Sequence, residues 1–319
     1  LPILTRRPRS LSGAEVDELV TLYHRTATHL STARASVPDP ALLAHLSNVV
    51  ARARGVIAGT QRPAWRAVGE FFARGFPAAV YAARWWWISV AAVCVVIGTV
   101  IAFWVAGDPA VQASIAAPTE IREMTAPGGE FESYYSSNPA GSFAARVWTN
   151  NAWVAAVCLF LGVLVGIPVI LALWMNTLNV AVAGGLMAAA GRTDVFFGLI
   201  LPHGLLELTA VFVAAGTGLR LGWTVVDPGG RSRAAALAAE GRAVAAIALG
   251  LVCVLLVSGV VEAFVTPSGL PTWARIGIGA TALVAFLGYV FTLGRAAFRA
   301  GYTGDLDSRR AGDVLPEAG

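Results

Sequence analysis

What most constrains this chain is a succession of apolar runs, each about as long as a bilayer core is thick. A hydrocarbon core of roughly 30 Å takes about 20 residues of α-helix. Runs of that kind cover residues 86–106, 152–174, 196–219, 243–265 and 276–293. A shorter apolar piece, residues 178–190, reaches only about 20 Å at about 1.5 Å per residue. It is read as a sixth crossing that is tilted, extended at its ends or sheltered by neighbours. Composition agrees, with 56% hydrophobic and 13% charged residues, against about 25% charged in an ordinary soluble domain. The expected fold class is all-α: a polytopic membrane helix bundle of about six transmembrane helices, one short or broken, with an N-terminal cytoplasmic helical region.

Orientation follows from the arginines, which supply all 23 basic residues because the chain has no lysine. Eleven precede Trp85, Arg220, Arg231, Arg233 and Arg242 surround the loop after the third long run, and Arg295, Arg299, Arg309 and Arg310 follow the last run. The positive-inside rule places these segments, and so both termini, in the cytoplasm of a multi-pass plasma-membrane protein. An even number of crossings is then required. The first external loop is acidic instead, with Asp108, Glu120, Glu123, Glu130 and Glu132. A net charge of +4 would suggest nucleic acid in a soluble chain, but here it follows topology, so membrane lipids and no nucleic acid are expected as partners. The arginine-only, alanine-rich composition has an actinobacterial look. An arginine-rich opening and a full-length first run give no cleavable signal peptide, while Leu1 in place of Met leaves room for a short leader.

The domain reading is an N-terminal cytoplasmic or interfacial region over 1–84, a bundle over 85–293 with an external loop at 107–150 and a cytoplasmic loop at 220–242, and a cytoplasmic tail over 294–319. Ser12-Gly13-Ala14-Glu15 is a capping-box pattern that opens a helix to about residue 32. Pro38-Asp39-Pro40 makes a turn, and a second helix covers about 41–58. Residues 64–81 set Trp65, Val68, Phe71, Phe72 and Phe76 against Arg66, Arg74 and Arg84. Two readings stay open for that segment: a helix along the membrane surface, or a connector packed on the first two helices. Trp85-Trp86-Trp87 suits the water boundary, where indoles are favoured.

In the external loop, residues 108–129 suggest a short helix, 134–139 a turn, and 142–153 an interfacial amphipathic helix. Cys94, Cys158 and Cys253 match no metal framework and read as small buried hydrophobes. Gly162-x-x-x-Gly166 lets a helix approach closely. Either a neighbour in the same chain or a homodimer seam would use it, and Gly184 smooths the short helix in the same way.

The polar constellation lies inside these apolar runs. His203 and Glu207 are four residues apart in Pro202-His203-Gly204-Leu205-Leu206-Glu207, hence on one helix face. Glu262 occupies Val261-Glu262-Ala263-Phe264-Val265-Thr266-Pro267. An ionisable group at bilayer depth costs roughly 2.5–3.5 kcal/mol on insertion scales. Such groups persist where they pair, meet water or serve a function. Pro202 suits the first turn of a helix, which predicts a helix start there after a break over 195–201, with Gly204 beside it as a packing position. With the topology above, His203 and Glu262 fall at similar depth near the external face. Three uses remain open: structural hydrogen bonding, a proton or solute pathway, and a metal site. The zinc motif His-Glu-x-x-His is not matched, and His24, His29 and His45 lie in the N-terminal region, so no metal, cofactor or catalytic residue is expected. Asn176 and Asn179 are assigned to the same intramembrane polar cluster.

These blocks, with Asn150-Asn151 before a crossing, Asn176, Asn179 and Gly184 after it, and Ala214-Ala215-Gly216-Thr217-Gly218-Leu219 downstream, resemble the stage II sporulation protein M (SpoIIM) family of integral membrane proteins. Asn176-Thr177 departs from the Asn-Gly of that pattern. The resemblance covers about residues 85–293 and implies a non-enzymatic scaffold in cell-envelope remodelling. In spore formers the family member recruits peptidoglycan-degrading partners to a septal membrane. Other envelope or membrane proteins are therefore the expected partners. The alternative is a transporter or permease-like component that moves a proton, an ion or a small solute past His203, Glu207 and Glu262.

Overall fold

The computed structural model describes residues 13–35, 40–57, 64–134 and 140–304, all helix, turn or loop without a strand. Ser12, the Pro38-Asp39 turn, residues 135–139 of the external turn and the tail from 305 lie outside the described residues. The chain divides into two compact units, residues 1–69 and 70–319. In the first, α1 (Gly13–Ala35) and α2 (Pro40–Ile57) pair, burying Leu19, Leu30, Val49 and Ala53. α3 (Ala64–Glu70) closes the N-terminal region.

The second unit begins with a π-helical turn, Phe71–Gly75, and α4 (Phe76–Ala82). α4 is packed into the bundle of this unit. Phe76, Ala78, Ala79 and Val80 are buried in the bundle. Two glycines make that docking tight: a Cβ on Gly250 would lie 2.1 Å from the Phe76 ring, and one on Gly294 would lie 2.3 Å from Pro77 O. The Tyr289 hydroxyl donates to Phe72 O in the same corner. The tryptophan triplet splits by helix face. Trp85 is exposed, whereas Trp87 is buried and its Nε1 donates to Val80 O at 3.1 Å.

α5 (Arg84–Gly107) ends at Asp108, whose Oδ1 accepts from Ala110 N at 2.8 Å and caps α6 (Pro109–Ile115), with Pro109 in the first turn. A carboxylate and a proline there satisfy or remove the amides that a new helix leaves open. α7 (Pro118–Thr125) and α8 (Glu130–Ser133) complete a folded loop. α9 (Ala140–Phe160) follows, then a short 3-10 turn, Leu161–Val163, and α10 (Ile167–Ala189). α11 (Thr193–Val226), α12 (Arg233–Val260, extended by a π turn to Val265) and α13 (Thr272–Tyr289, continuing to α14, Arg295–Arg299) finish the bundle.

Among the described residues five helices are long and apolar enough to cross a membrane: Arg84–Gly107, Ile167–Ala189, Thr193–Val226, Arg233–Val265 and Thr272–Arg299. The expected second crossing over 152–174 is not one helix. Val165 (φ 55°) and Gly166 (φ 75°) adopt the left-handed region, which only glycine enters at no steric cost, and the backbone turns there. The amphipathic segment expected at the interface is the first half of α9. The short piece at 178–190 is the second half of a full-length α10.

Inter-helix contacts fix the direction of each rod. Glu207 lies beside Asn151 and Gly218 beside Cys158, so α9 and α11 run parallel. Gly98 meets Thr177 and Gly185 meets Val105, so α5 and α10 run parallel, opposite to α11. α9 thus completes an alternating series with the five apolar helices. Its Gly162 is spent inside the chain, since a Cβ there would lie 2.2 Å from Gly218 O. The glycine pair is thus used for packing within the chain, since a Cβ on Gly166 would meet Leu219 at 2.7 Å. Gly184 serves likewise, facing the Phe196 ring at 3.0 Å.

Burial ranks the helices. About half of the apolar window is buried in α12 (50%) and α11 (44%), against 11% in α5. α11 and α12 form the centre, while Val95, Val96, Phe103, Leu171, Leu249 and Val284 are exposed on the outside. That apolar exterior is what lipid would cover. Cys158 is buried as expected, but Cys253 is on the exposed face.

Candidate functional site

The two innermost helices carry the polar cluster. α11 is continuous through Pro202, so the predicted break over 195–201 is absent. The helix starts nine residues earlier, at Thr193, with Asp194 in its first turn to complement the open amides. α13 packs closely on this turn, where a Cβ on Gly279 would lie 2.2 Å from Pro202 O. Gly204 is buried one turn beyond Ile200. His203 and Glu207 project from this helix toward α12.

Glu262 is delivered differently. It sits in a π turn, Val261–Val265, in which Thr266 N reaches back to Val261 O. Such single-turn bulges inside α-helices are frequent at functional sites because they re-aim one side chain. Pro267 then removes the next amide donor and the helix ends. The result is a three-residue cluster, His203, Glu207 and Glu262, each offering a donor atom within 4.8 Å of the others. His203 and Glu262 are 5% and 3% exposed. His203 Nε2 stands 3.8 Å from Glu262 Oε1, and Nδ1 stands 3.2 Å from Thr266 Oγ1. Ser258 Oγ lies 3.0 Å from His203 O and 3.4 Å from Glu207 Oε2, and the Asn151 side chain also hydrogen-bonds Glu207.

Neither carboxylate has an arginine partner among the described residues. Among the described residues Glu262 Oε2 is buried with no hydrogen-bond partner. A buried carboxylate oxygen left unpaired is costly.

Asn176 and Asn179 do not join this cluster by any hydrogen bond. Asn176 Nδ2 donates to Ala172 O of its own helix and Asn179 is exposed. Their helix, α10, packs chiefly on α5, away from the α11–α12 face that holds the acids. Sequence reasoning passed over Asn151, Ser258 and Thr266 as site residues. A signal existed for two of them: Ser258, Glu262 and Thr266 recur every four residues, a polar stripe on one face of an apolar helix.

Above the cluster, the loop helices are tied to the bundle by Arg192, which donates to Thr125 O at 2.7 Å and pairs with Glu132. A cleft of about 420 Å³ opens between these parts, lined by Glu132, Arg192, Asp194, Thr266 and Arg275 among others. Half-exposed Tyr134 ends α8; partial burial, then the nearby Glu262 and Glu207, raise its phenol above the ordinary value.

The sequence profile of Stage II sporulation protein M (SpoIIM) matches residues 91–267. This chain belongs to that family. The SpoIIM match includes every residue of the cluster, from Asn151 through Thr266, together with the loop helices above it. Residues 2–59 match a domain of unknown function, DUF8413. No curated protein and no solved structure matches the chain.

Proposed function

We propose that this SpoIIM-family protein is a non-enzymatic scaffold of the plasma membrane, with both termini cytoplasmic, that holds peptidoglycan-remodelling partners on its extracytoplasmic side. The observation that carries this reading is the loop α6–α8. It is folded, acidic at Glu120, Glu123, Glu130 and Glu132, and fastened to the bundle through Arg192. A loop that served only as a connection would not need to be held in one geometry, whereas a docking platform gains affinity from being pre-organised. The arginine distribution supports the same sidedness, since the loop end of the bundle is poor in arginine and the opposite end is rich.

The test is purification from native membranes in mild detergent, assaying the fraction for cell-wall-degrading activity. Such activity should co-purify with the wild type and be lost when residues 118–134 are replaced by a Gly-Ser linker in a variant of unchanged helicity. Recovery of the chain without any such activity would refute the scaffold. A second reading, a permease-like component, is supported by the buried His203–Glu207–Glu262 cluster lying beneath the cleft. It requires proton or ion flux in liposomes that Glu207→Gln abolishes, and silent liposomes would dispose of it.

A further inference from the structure

From the geometry of the buried cluster, we propose that His203, Glu207 and Glu262 bind a single divalent transition-metal ion of the zinc type. The inference is independent of the scaffold reading, since a metal could brace the bundle with or without a partner on the loop.

Four observations converge on it. The first is the donor set, one imidazole and two carboxylates with donor atoms within 4.8 Å of one another. Zinc binds such donors at about 2.0–2.2 Å, so two of them on a tetrahedral ion stand about 3.4 Å apart. The His203 Nε2–Glu262 Oε1 separation of 3.8 Å is too long for a hydrogen bond and needs only a few tenths of an ångström of closure around an ion. The second is the orphan oxygen: Glu262 Oε2 is inaccessible and has no hydrogen-bond partner among the described residues. A cation would supply the missing partner.

The third is charge. Among the described residues neither carboxylate has an arginine on it, so a divalent ion would cancel both charges, whereas one shared proton would leave one. The fourth is the support around the histidine. Thr266 Oγ1 has Val261 O at 3.5 Å as its acceptor, which turns a lone pair to the Nδ1–H of His203 at 3.2 Å. That arrangement makes Nε2 the lone-pair nitrogen and aims it at the acids. Metal-binding histidines are held in this way, with the far ring nitrogen donating to a fixed acceptor.

Three protein donors are too few for calcium, which takes six to eight oxygens, and an imidazole is foreign to magnesium. Borderline ions such as zinc, cobalt or ferrous iron accept a mixed nitrogen and oxygen set, with the harder manganese as a comparison. Three ligands leave at least one coordination position for water. The cleft lined by Glu132, Asp194 and Thr266 gives the ion a short way in from the loop end. The expectation from sequence that no metal binds rested on the missing zinc motif. That motif supplies two histidine ligands from one helix, whereas here the helix supplies a histidine and a glutamate, and the third donor arrives through a π turn on another helix.

The experiment uses the full chain in detergent or nanodiscs, stripped with chelator and titrated with Zn²⁺, Mn²⁺ and Co²⁺ alone. Metal content by mass spectrometry should saturate at one ion per chain for at least one of the three. Glu207→Gln and Glu262→Gln should each weaken binding at least about 100-fold, and Thr266→Val, which removes only the histidine's support, by about 10- to 100-fold. His24→Ala, His29→Ala and His45→Ala combined should leave it unchanged. Because a core variant can misfold, a readout on wild type alone is added. Its Tm should rise on metal addition, and the Co²⁺ form should show ligand-field absorption of a nitrogen and oxygen shell. A wild-type chain whose Tm and spectrum do not respond to millimolar metal overturns the proposal. So does binding that survives both Glu→Gln changes, or that disappears with the three N-terminal histidines.

Discussion

Gly218 offers the sharpest test of how this bundle is packed. A Cβ added there would lie 1.9 Å from Cys158 O and 2.9 Å from Cys158 C, with Val169 at 3.3 Å. An ordinary contact begins near 3.4 Å. Gly218→Ala therefore forces α9 and α11 apart by up to about 1.5 Å, or bends one of them. The obstacle is backbone rather than the end of a flexible side chain, so rotamer changes cannot absorb it. Overpacking of this kind costs about 1–3 kcal/mol. Close helix contact is also the main source of association energy in lipid, where the hydrophobic effect between helices is absent.

The control is Gly288→Ala, in α13, where nothing lies within 4 Å of the added methyl. It should be neutral or stabilising by about 0.5–1 kcal/mol, because alanine loses less backbone entropy than glycine in a helix. The assay is thermal unfolding of both variants in one detergent, followed by far-UV circular dichroism. At about 2–4 °C per kcal/mol for a chain of this size, Gly218→Ala should lower Tm by roughly 2–12 °C, with Gly288→Ala level with or above wild type. Equal Tm values for the two variants, or a larger loss at Gly288, would refute the parallel α9–α11 contact and with it the alternation of helices.

Other consequences are smaller. Arg192→Ala removes both ties of the loop to the bundle; allowing for partial exposure it should cost about 1 kcal/mol. Faster hydrogen exchange at residues 118–134, with the bundle unaffected, is the expected signature, and unchanged protection would contradict the tether. Ser258→Ala loses the bonds to His203 O and Glu207 and should destabilise by about 0.6 kcal/mol, at most about 1.7. A loss well above that in chemical unfolding would mean that the hydroxyl supports more than a pair of hydrogen bonds. Trp87→Phe leaves Val80 O without its indole donor and should cost about 1 kcal/mol, with loss of a buried, blue-shifted component from the tryptophan emission. Emission unchanged in shape would place Trp87 at the water boundary after all.

The apolar periodicity alone made this chain a membrane helix bundle, because no other arrangement hides so many long apolar segments while satisfying every backbone amide. It also brought His203 and Glu207 to one face, since four residues are one turn, and named Glu262 as an acid that apolar surroundings must accommodate. What the sequence left open are matters of contact between elements. Whether residues 152–174 form one rod or two depended on Val165 and Gly166 taking positive φ. The apolar run continues through that turn without a polar signal. Phe76 and Trp87 read as interface residues because their aromatic bodies suit a boundary as well as a core, and glycines on distant helices turned them inward. Asn176 and Asn179 have the same chemistry as Asn151, and only the packing of α9 against α11 put Asn151 beside Glu207 while α10 kept the other two on its own backbone or at its surface. The final placement of Glu262 came from a π turn, a change of one residue in register that no side-chain pattern records, and on that turn the three-donor cluster depends.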